Sequence, residues 1–207
     1  MSKVNTLPQA AKPMGIRGYF LAEMMEMVHQ GEYRAVSKAL KLTPEDKHLD
    51  IGCGSGAFLV QHTSKAKNIA GLDHSSSMIR MSKFHNFLRV RKGTAEFRQG
   101  DAAKLPWHNE SFTSVSAIAT FMFWPNPETS LREIFRVLSP RSRLVISLGW
   151  NADDGLDHTK HIKKYGIRLY GSKELEGMMK DAGFQNVSVT KKKSFMMPQL
   201  LIFRADK

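Results

Sequence analysis

Apolar positions along this chain recur with two different periods, and the switches between them mark out its elements. Residues 15–42 carry Phe20, Met24, Met27 and Val28 at helical spacing. Gly31 interrupts that run, and Tyr33, Val36 and Leu40 resume it, so the pattern predicts two short helices. Short apolar runs follow at 49–51, 69–72, 95–98, 112–119 and 144–148, each short enough to be a buried strand. Between them lie amphipathic stretches, one with Met78, Ile79, Met81 and Phe84. Another opens on Asn126-Pro127 and carries Leu131, Ile134, Phe135 and Leu138 on one helical face. Residues 149–171 show no period and are expected to be irregular. Ser172 then caps a helix bearing Leu175, Met178, Met179 and Ala182, and Gly183 ends it. Runs at 187–190 and 200–204 close the chain as a strand pair.

Alternation of strand and helix through the middle, with paired strands at the end, predicts an α/β fold. The expected form is a Rossmann-like sheet of seven mostly parallel strands with helices on both faces and an antiparallel final strand. Residues 1–45 are expected to form a polar tail, 1–14, and lid helices. Residues 46–207 are expected to form the single main domain. The Met24, Met25 and Met27 stripe suits core packing, and methionine is also adaptable enough to line a lid.

The stretch H-L-D-I-G-C-G-S-G, residues 48–56, sharpens this picture. A strand runs straight into Gly52, Gly54 and Gly56, residues open to backbone angles that others avoid and without a Cβ to block a ligand. A helix begins just after, so backbone N–H groups face a concave corner. Gly52, Gly54 and Ala57 also fit a dinucleotide pattern, with Asp73 about 20 residues on. Asp50 changes the reading. A carboxylate at the strand end repels a pyrophosphate and welcomes an ammonium group.

Composition adds limits. The 207 residues suffice for one substantial core. No run approaches the roughly 18 apolar residues of a membrane span, and the first residues lack the apolar core of a secretory signal. The single cysteine, Cys53, excludes an internal disulfide and makes cytoplasmic residence the default expectation. Net charge is +12. That permits an acidic partner such as RNA, but the basic residues are spread along the chain instead of gathered in one arm.

Four marks then fall in order: Asp50 with its glycines; Asp73 at the end of the second strand; Gly100-Asp101-Ala102 before Leu105-Pro106-Trp107; and the exit of the fourth strand, 118–127, leading to E-I-F-R-V-L-S-P. Together they resemble the class I S-adenosylmethionine (SAM)-dependent methyltransferases, type 11 (UbiE-like), from about residue 46 to residue 148, and more weakly through Asp181-Ala182-Gly183-Phe184. The resemblance implies SAM as cofactor, bound by Asp50, Gly52, Gly54, Asp73, Asp101 and Ala102, with Ala119 offering backbone contact and His74 and Met78 flanking ribose and adenine. No metal is expected. Where the family has Pro-Gly-Gly before the fifth strand, this chain has Pro140-Arg141-Ser142, a turn away from the cofactor.

The sulfonium donor is already activated, so the protein must chiefly align the acceptor and exclude water. Phe121, Phe123 and Trp124 leave the fourth strand, and Trp150 the fifth, where the acceptor is expected; Phe121, Trp124 and Trp150 are the candidate pocket residues. If the acceptor must lose a proton, His158 and His161 are candidate bases, with Tyr165 behind them. Asp153, Asp154, Asp157, His158 and His161 also have the look of metal ligands, though a polar loop explains them as well. The N-P-P-Y or D-P-P-Y of base-amino methylation is absent at the fourth strand's exit, where Thr120-Phe121-Met122-Phe123 stands. The lone cysteine argues against cytosine C5 or arsenite chemistry. A small-molecule acceptor is the expected partner. An RNA or other macromolecular acceptor, or a non-catalytic nucleotide-binding module, is the alternative. The oligomeric state is left open.

Overall fold

The computed structural model describes residues 15–194 and 197–207, with side chains from residue 28 to 193 and from 199 onward. The tail at 1–14 and the side chains of Phe20, Met24, Met25 and Met27 lie outside the described residues. Seven strands form one sheet: β1 Lys47–Ile51, β2 Asn68–Asp73, β3 Ala95–Gln99, β4 Phe112–Ile118, β5 Leu138–Leu148, β6 Gln185–Ser194 and β7 Met197–Asp206. Their spatial order is β3-β2-β1-β4-β5-β7-β6. The first five run parallel, and β7 is antiparallel to both β5 and β6. This is the expected Rossmann-like sheet.

The period-2 alternation assigns each strand residue to one of two cores. Leu49, Ile51, Val115, Ala117, Leu144, Ile146, Leu201 and Phe203 face one side, packed with Leu131 and Ile134 of α5 (Pro127–Val137) and Leu175 and Met179 of α7 (Ser172–Asp181). Ile118, Val145, Leu200 and Ile202 face the other, with Val36 and Leu40 of α1 (Gly15–Leu40), Phe58 and Leu59 of α2 (Ala57–His62) and Ile79 of α3 (Ser76–His85). His48, Asp50, Ser114 and Ser116 share that second face and place a polar strip in it. The register sets His48 opposite Ser114 and Asp50 opposite Ser116.

Three local expectations are corrected, and one short helix is added. Gly31 does not break α1, which runs unbroken for 26 residues; one helical glycine costs about 1 kcal/mol relative to alanine, which the packing of its second half against the sheet offsets. The 149–171 segment is not wholly irregular: it holds α6, Thr159–Tyr165, too short for a periodic signal. A further short helix, α4 (Phe87–Arg91), follows α3, its entry at Asn86. Ser172 is the first residue of α7 and not its cap; Gly171 holds the cap position. Helix α7 is capped from a distance, since Asp153 Oδ2 accepts from Ser172 N at 2.9 Å and from its hydroxyl. Where the resembling family has Pro-Gly-Gly, Arg141 takes a left-handed φ of 60°, and its N–H is held by the Lys207 carbonyl at 3.0 Å.

Candidate active site at the carboxyl edge of the sheet

Strand β1 ends at Ile51 and turns at once. Gly52, Gly54 and Gly56 all have left-handed φ, of 73°, 53° and 80°. At Gly52 the backbone angle is only half the reason for glycine: a Cβ there would stand 2.2 Å from Thr120 Oγ1. At Gly54 nothing lies within 4 Å of where a Cβ would be, so the corner is open on that side. The turn is sewn to its neighbours by backbone. Gly52 N and Cys53 N both donate to the Leu72 carbonyl, at 2.7 and 3.0 Å, and the Ser82 hydroxyl donates to the Gly54 carbonyl at 2.7 Å. Cys53 is buried among these groups. Burial and the nearby Asp73 and Asp50 push its thiol well up, which suits a filler and not a nucleophile.

Two carboxylates meet at this corner. Asp73, the last residue of β2, accepts from Gly54 N through Oδ2 at 3.0 Å and from Ser75 N through Oδ1 at 2.8 Å. Each oxygen retains a further lone pair. Burial raises its pKa, against the lowering effect of those two bonds and of the neighbouring His74. Asp50 is enclosed, 3% exposed, and does not stand open in the crevice. The Ser116 hydroxyl donates to its Oδ1 at 2.5 Å. Burial, opposed by that bond and aided by the charge of Asp73, pushes Asp50 up to about 7. Behind it lies His48, fully buried, with Nε2 3.1 Å from Ser116 Oγ and Nδ1 3.0 Å from Ser114 Oγ. Because Ser116 gives its proton to Asp50, its oxygen accepts from Nε2–H, and Nδ1 in turn accepts from Ser114. Burial, and then the charge of Arg143, pushes His48 down to about 3, so the ring is neutral.

The remaining expected cofactor residues sit around this corner in different settings. His74 is half-buried, its Nδ1 3.7 Å from Asp73 Oδ1. Met78 is buried at the start of α3, whose N-cap is Ser75. Asp101 is exposed and opens a turn, its Oδ1 accepting from Ala103 N at 2.9 Å, while Ala102 is buried. Leu105 and Trp107 are core residues. Ala119 holds a left-handed φ of 52°, its N–H directed to Ser147 O at 3.3 Å, and so turns β4 out beside Thr120 and Gly52.

Beyond β4 and β5 the expected pocket aromatics separate. Phe121 is fully buried in the core, ring centroids 4.9 Å from both Trp124 and Tyr170, and shows no surface to an acceptor. Trp124 and Trp150 are half-buried. Trp150 heads a ring cluster, with His161 at 4.5 Å, Tyr165 at 6.1 Å and His158 at 6.1 Å. The carboxylates of this segment are each already engaged: Asp153 at α7, Asp157 with Thr159 N at 2.8 Å, and Asp154 with His158 Nε2 at 2.8 Å. Among the described residues no group of three acidic, histidine or cysteine side chains is placed to hold a metal.

Sequence reasoning brought Asp50, Asp73, the glycines and Ala119 to one corner and His158, His161 and Trp150 to one cluster. It missed His48, Ser114, Ser116, Ser82, Thr120 and the pairing of Asp154 with His158. The first three were readable in part: polar residues at alternate strand positions amid apolar ones mark a polar strip on one sheet face.

Residues 49–146 match a family model described as a methyltransferase domain. A demethylmenaquinone methyltransferase of Lactobacillus johnsonii is 26% identical over 74% of this chain and 74% of its own length. An O-methyltransferase of Penicillium expansum is 26% identical over 87% of this chain and 67% of its own. Among solved structures, a SAM-dependent methyltransferase of Thermotoga maritima, described as a possible histamine N-methyltransferase, superposes with a TM-score of 0.71 at 26% identity. That match covers 92% of this chain and 97% of the other.

Proposed function

We propose that this chain, which belongs to the class I SAM-dependent methyltransferases of type 11, methylates a small-molecule acceptor at the carboxyl edge of its sheet. SAM is the cofactor; when bound it supplies an electrophilic methyl group on a sulfonium that leaves as a neutral thioether. The residues present fit it. Gly54 leaves open space beside the corner, and Asp73 has a spare lone pair on each oxygen for the two ribose hydroxyls. Asp50 answers the ammonium group, directly or through the loop it supports, and Asp101 and Ala102 lie at the adenine end with His74 and Met78 beside them. Ala119 and Thr120 border the methyl side.

The observation that carries this reading is the double anchoring of Asp73 by Gly54 N–H and Ser75 N–H, which fixes a carboxylate at the mouth of the glycine turn. Trp124 and Trp150 line the acceptor space, with Phe121 as a supporting wall behind Trp124. His158 and His161 are the groups placed to take a proton. The names of the relatives favour a small acceptor: a quinone-type methyltransferase and an O-methyltransferase. Calorimetric titration with SAM, S-adenosylhomocysteine and NAD tests the reading; tight binding of the first two and none of NAD is expected, and the reverse order overturns it.

The net charge of +12 favours one second reading, a macromolecular acceptor such as RNA. It predicts binding that weakens steeply with salt, and salt-insensitive turnover on a small acceptor removes it.

A further inference from the structure

The segment after β5 contains a pair that the cofactor corner does not use. Asp154 and His158 are both almost fully buried, their side chains 1% and 5% exposed. His158 Nε2 lies 3.0 Å from Oδ1 and 2.8 Å from Oδ2 of Asp154. A carboxylate accepts only, so Nε2 carries a proton, and in the neutral ring Nδ1 carries the lone pair. That Nδ1 is buried and has no hydrogen-bond partner. A histidine held by a buried acid on one nitrogen, with the other nitrogen bare, is the arrangement of a general base and its orienting group. Asp154 is itself fixed: Oδ1 accepts from Leu156 N at 2.9 Å. The neighbouring Asn151, fully buried, is tied to the Gln199 carbonyl of β7 at 3.0 Å.

The pair lies in the segment that leaves β5, at the same carboxyl edge of the sheet as the β4 exit. Trp150 follows the carboxyl end of β5; β5 is bonded to the β4 exit through Ala119 N; and Thr120 at that exit rests on Gly52. Three flat rings, Trp150, His161 and Tyr165, cluster beside His158: Tyr165 lies near parallel to Trp150 at 25° and to His161 at 16°, while Trp150 and His161, 4.5 Å apart, are tilted at 40°. Flat clustered rings favour a flat partner. The titratable groups about the His158 ring are Asp154 on Nε2, Asp157 one residue before it and His161 one turn on, 6.0 Å between ring centroids.

We infer that the acceptor is an aromatic or enolic hydroxyl compound, that His158 Nδ1 removes its proton, and that Asp154 positions the ring. This rests on the methyltransferase reading above. The requirement for a base narrows the atom. A phenol has a pKa of about 10 and is a poor nucleophile until deprotonated, whereas a thiol at about 8.5 ionises more readily. An alkylammonium at about 10.4 must also lose a proton, and the ring cluster beside His158 favours the flat phenol over it. In the step, the acceptor O–H bond breaks and its proton goes to Nδ1. The oxygen pair forms the O–CH3 bond as the CH3–S bond breaks, and that bond's electrons remain on sulfur, which becomes neutral. The imidazolium formed is matched by the Asp154 carboxylate until its proton passes to water.

Two measurements on the full-length protein test this. Ring-15N histidine NMR with S-adenosylhomocysteine bound should show His158 protonated on Nε2 and bare on Nδ1 at neutral pH; a proton on Nδ1 overturns the proposal. Methyl-labelled SAM is then offered with separate panels of simple phenols, primary amines and thiols. Label on a phenolic oxygen is expected. His158→Gln should cut kcat by about 10²-fold or more and leave S-adenosylhomocysteine affinity unchanged. Asp154→Asn should lower kcat without raising the KM for SAM. Absence of label from the phenols, or a full rate in His158→Gln, overturns the inference. Failure of the wild-type protein to bind S-adenosylhomocysteine would instead strike the methyltransferase reading itself. Should His158→Gln not fold, the NMR result on the wild-type protein decides.

Discussion

At the carboxyl ends of β1 and β2, polar side chains are bonded to main chain: Asp73 to Gly54 N and Ser75 N, Ser82 to Gly54 O. Beyond β5 the carboxylates serve their own segment's side chains and helix ends, Asp154 on His158, Asp157 on Thr159 N, Asp153 on Ser172. The first corner inherits its shape from the sheet. Strand positions and left-handed glycines set it, and few side chains have to be chosen. The second is assembled from side chains on the excursion at 149–171, and its chemistry depends on which residues occur there. A cofactor common to many enzymes suits the first, and an acceptor particular to one suits the second.

The largest effect expected on this contrast is at Asp73. Asp73→Ala strands the buried Ser75 N–H, at a cost of about 1–3 kcal/mol, and the part-buried Gly54 N–H, and it removes the carboxylate proposed to hold the ribose. Calorimetry should show S-adenosylhomocysteine binding abolished; unchanged affinity would mean that the cofactor lies elsewhere. By contrast, Asp153→Ala in the second region should leave that affinity intact.

Next comes Asp50. Its pKa is raised to about 7 by burial, above the ordinary carboxylate value of about 3.9, so the fold favours its protonated form. Its contribution to stability is therefore complete below about pH 4 and is lost as pH rises through about 7. Asp50→Asn should remove that part of the pH dependence from thermal melts of the free protein. Around pH 6, binding of a cationic cofactor should draw the proton off. Calorimetry in buffers of different ionisation enthalpy would then detect proton release in the wild type and lose it in Asp50→Asn. Equal release in both would detach Asp50 from the site.

A smaller effect is expected at Ser116. Ser116→Ala leaves His48 Nε2 and Asp50 Oδ1 without their shared partner, at about 1–3 kcal/mol. S-adenosylhomocysteine affinity should fall about tenfold, for roughly 1.4 kcal/mol, while Ser116→Thr should retain most of it. If alanine and threonine behave alike, the strip is packing only.

The smallest effect separates the regions again. Asp153→Ala removes the remote cap of α7 and should cost about 1 kcal/mol in urea unfolding. Asp153 is held below its ordinary pKa, chiefly by the Ser172 hydroxyl. Its contribution is therefore present above about pH 4 and lost as pH falls below that, the opposite direction to Asp50.

Much of this was legible in the residues. The order of strands and helices, the glycine turn and Asp73 follow from local rules, because period-2 runs, left-handed positions and strand ends are properties of neighbouring residues. Phe121 shows where such rules fail. An aromatic at a strand exit has the same local signature whether it faces an acceptor or the core, and the packing of Tyr170 against it decided for the core. Asp50 shows it again: the sequence placed a carboxylate at the strand end, but the register against Ser116 closed it in and raised its pKa. The sequence alone determined that this chain folds as a mostly parallel sheet with a glycine turn at its carboxyl edge. Tertiary structure alone decided which buried polar groups are partnered, across 66 positions for Ser116 and Asp50 and within one turn for Asp154 and His158. Burial and hydrogen bonding, which set charge and proton position, depend on neighbours brought together only when the chain is folded.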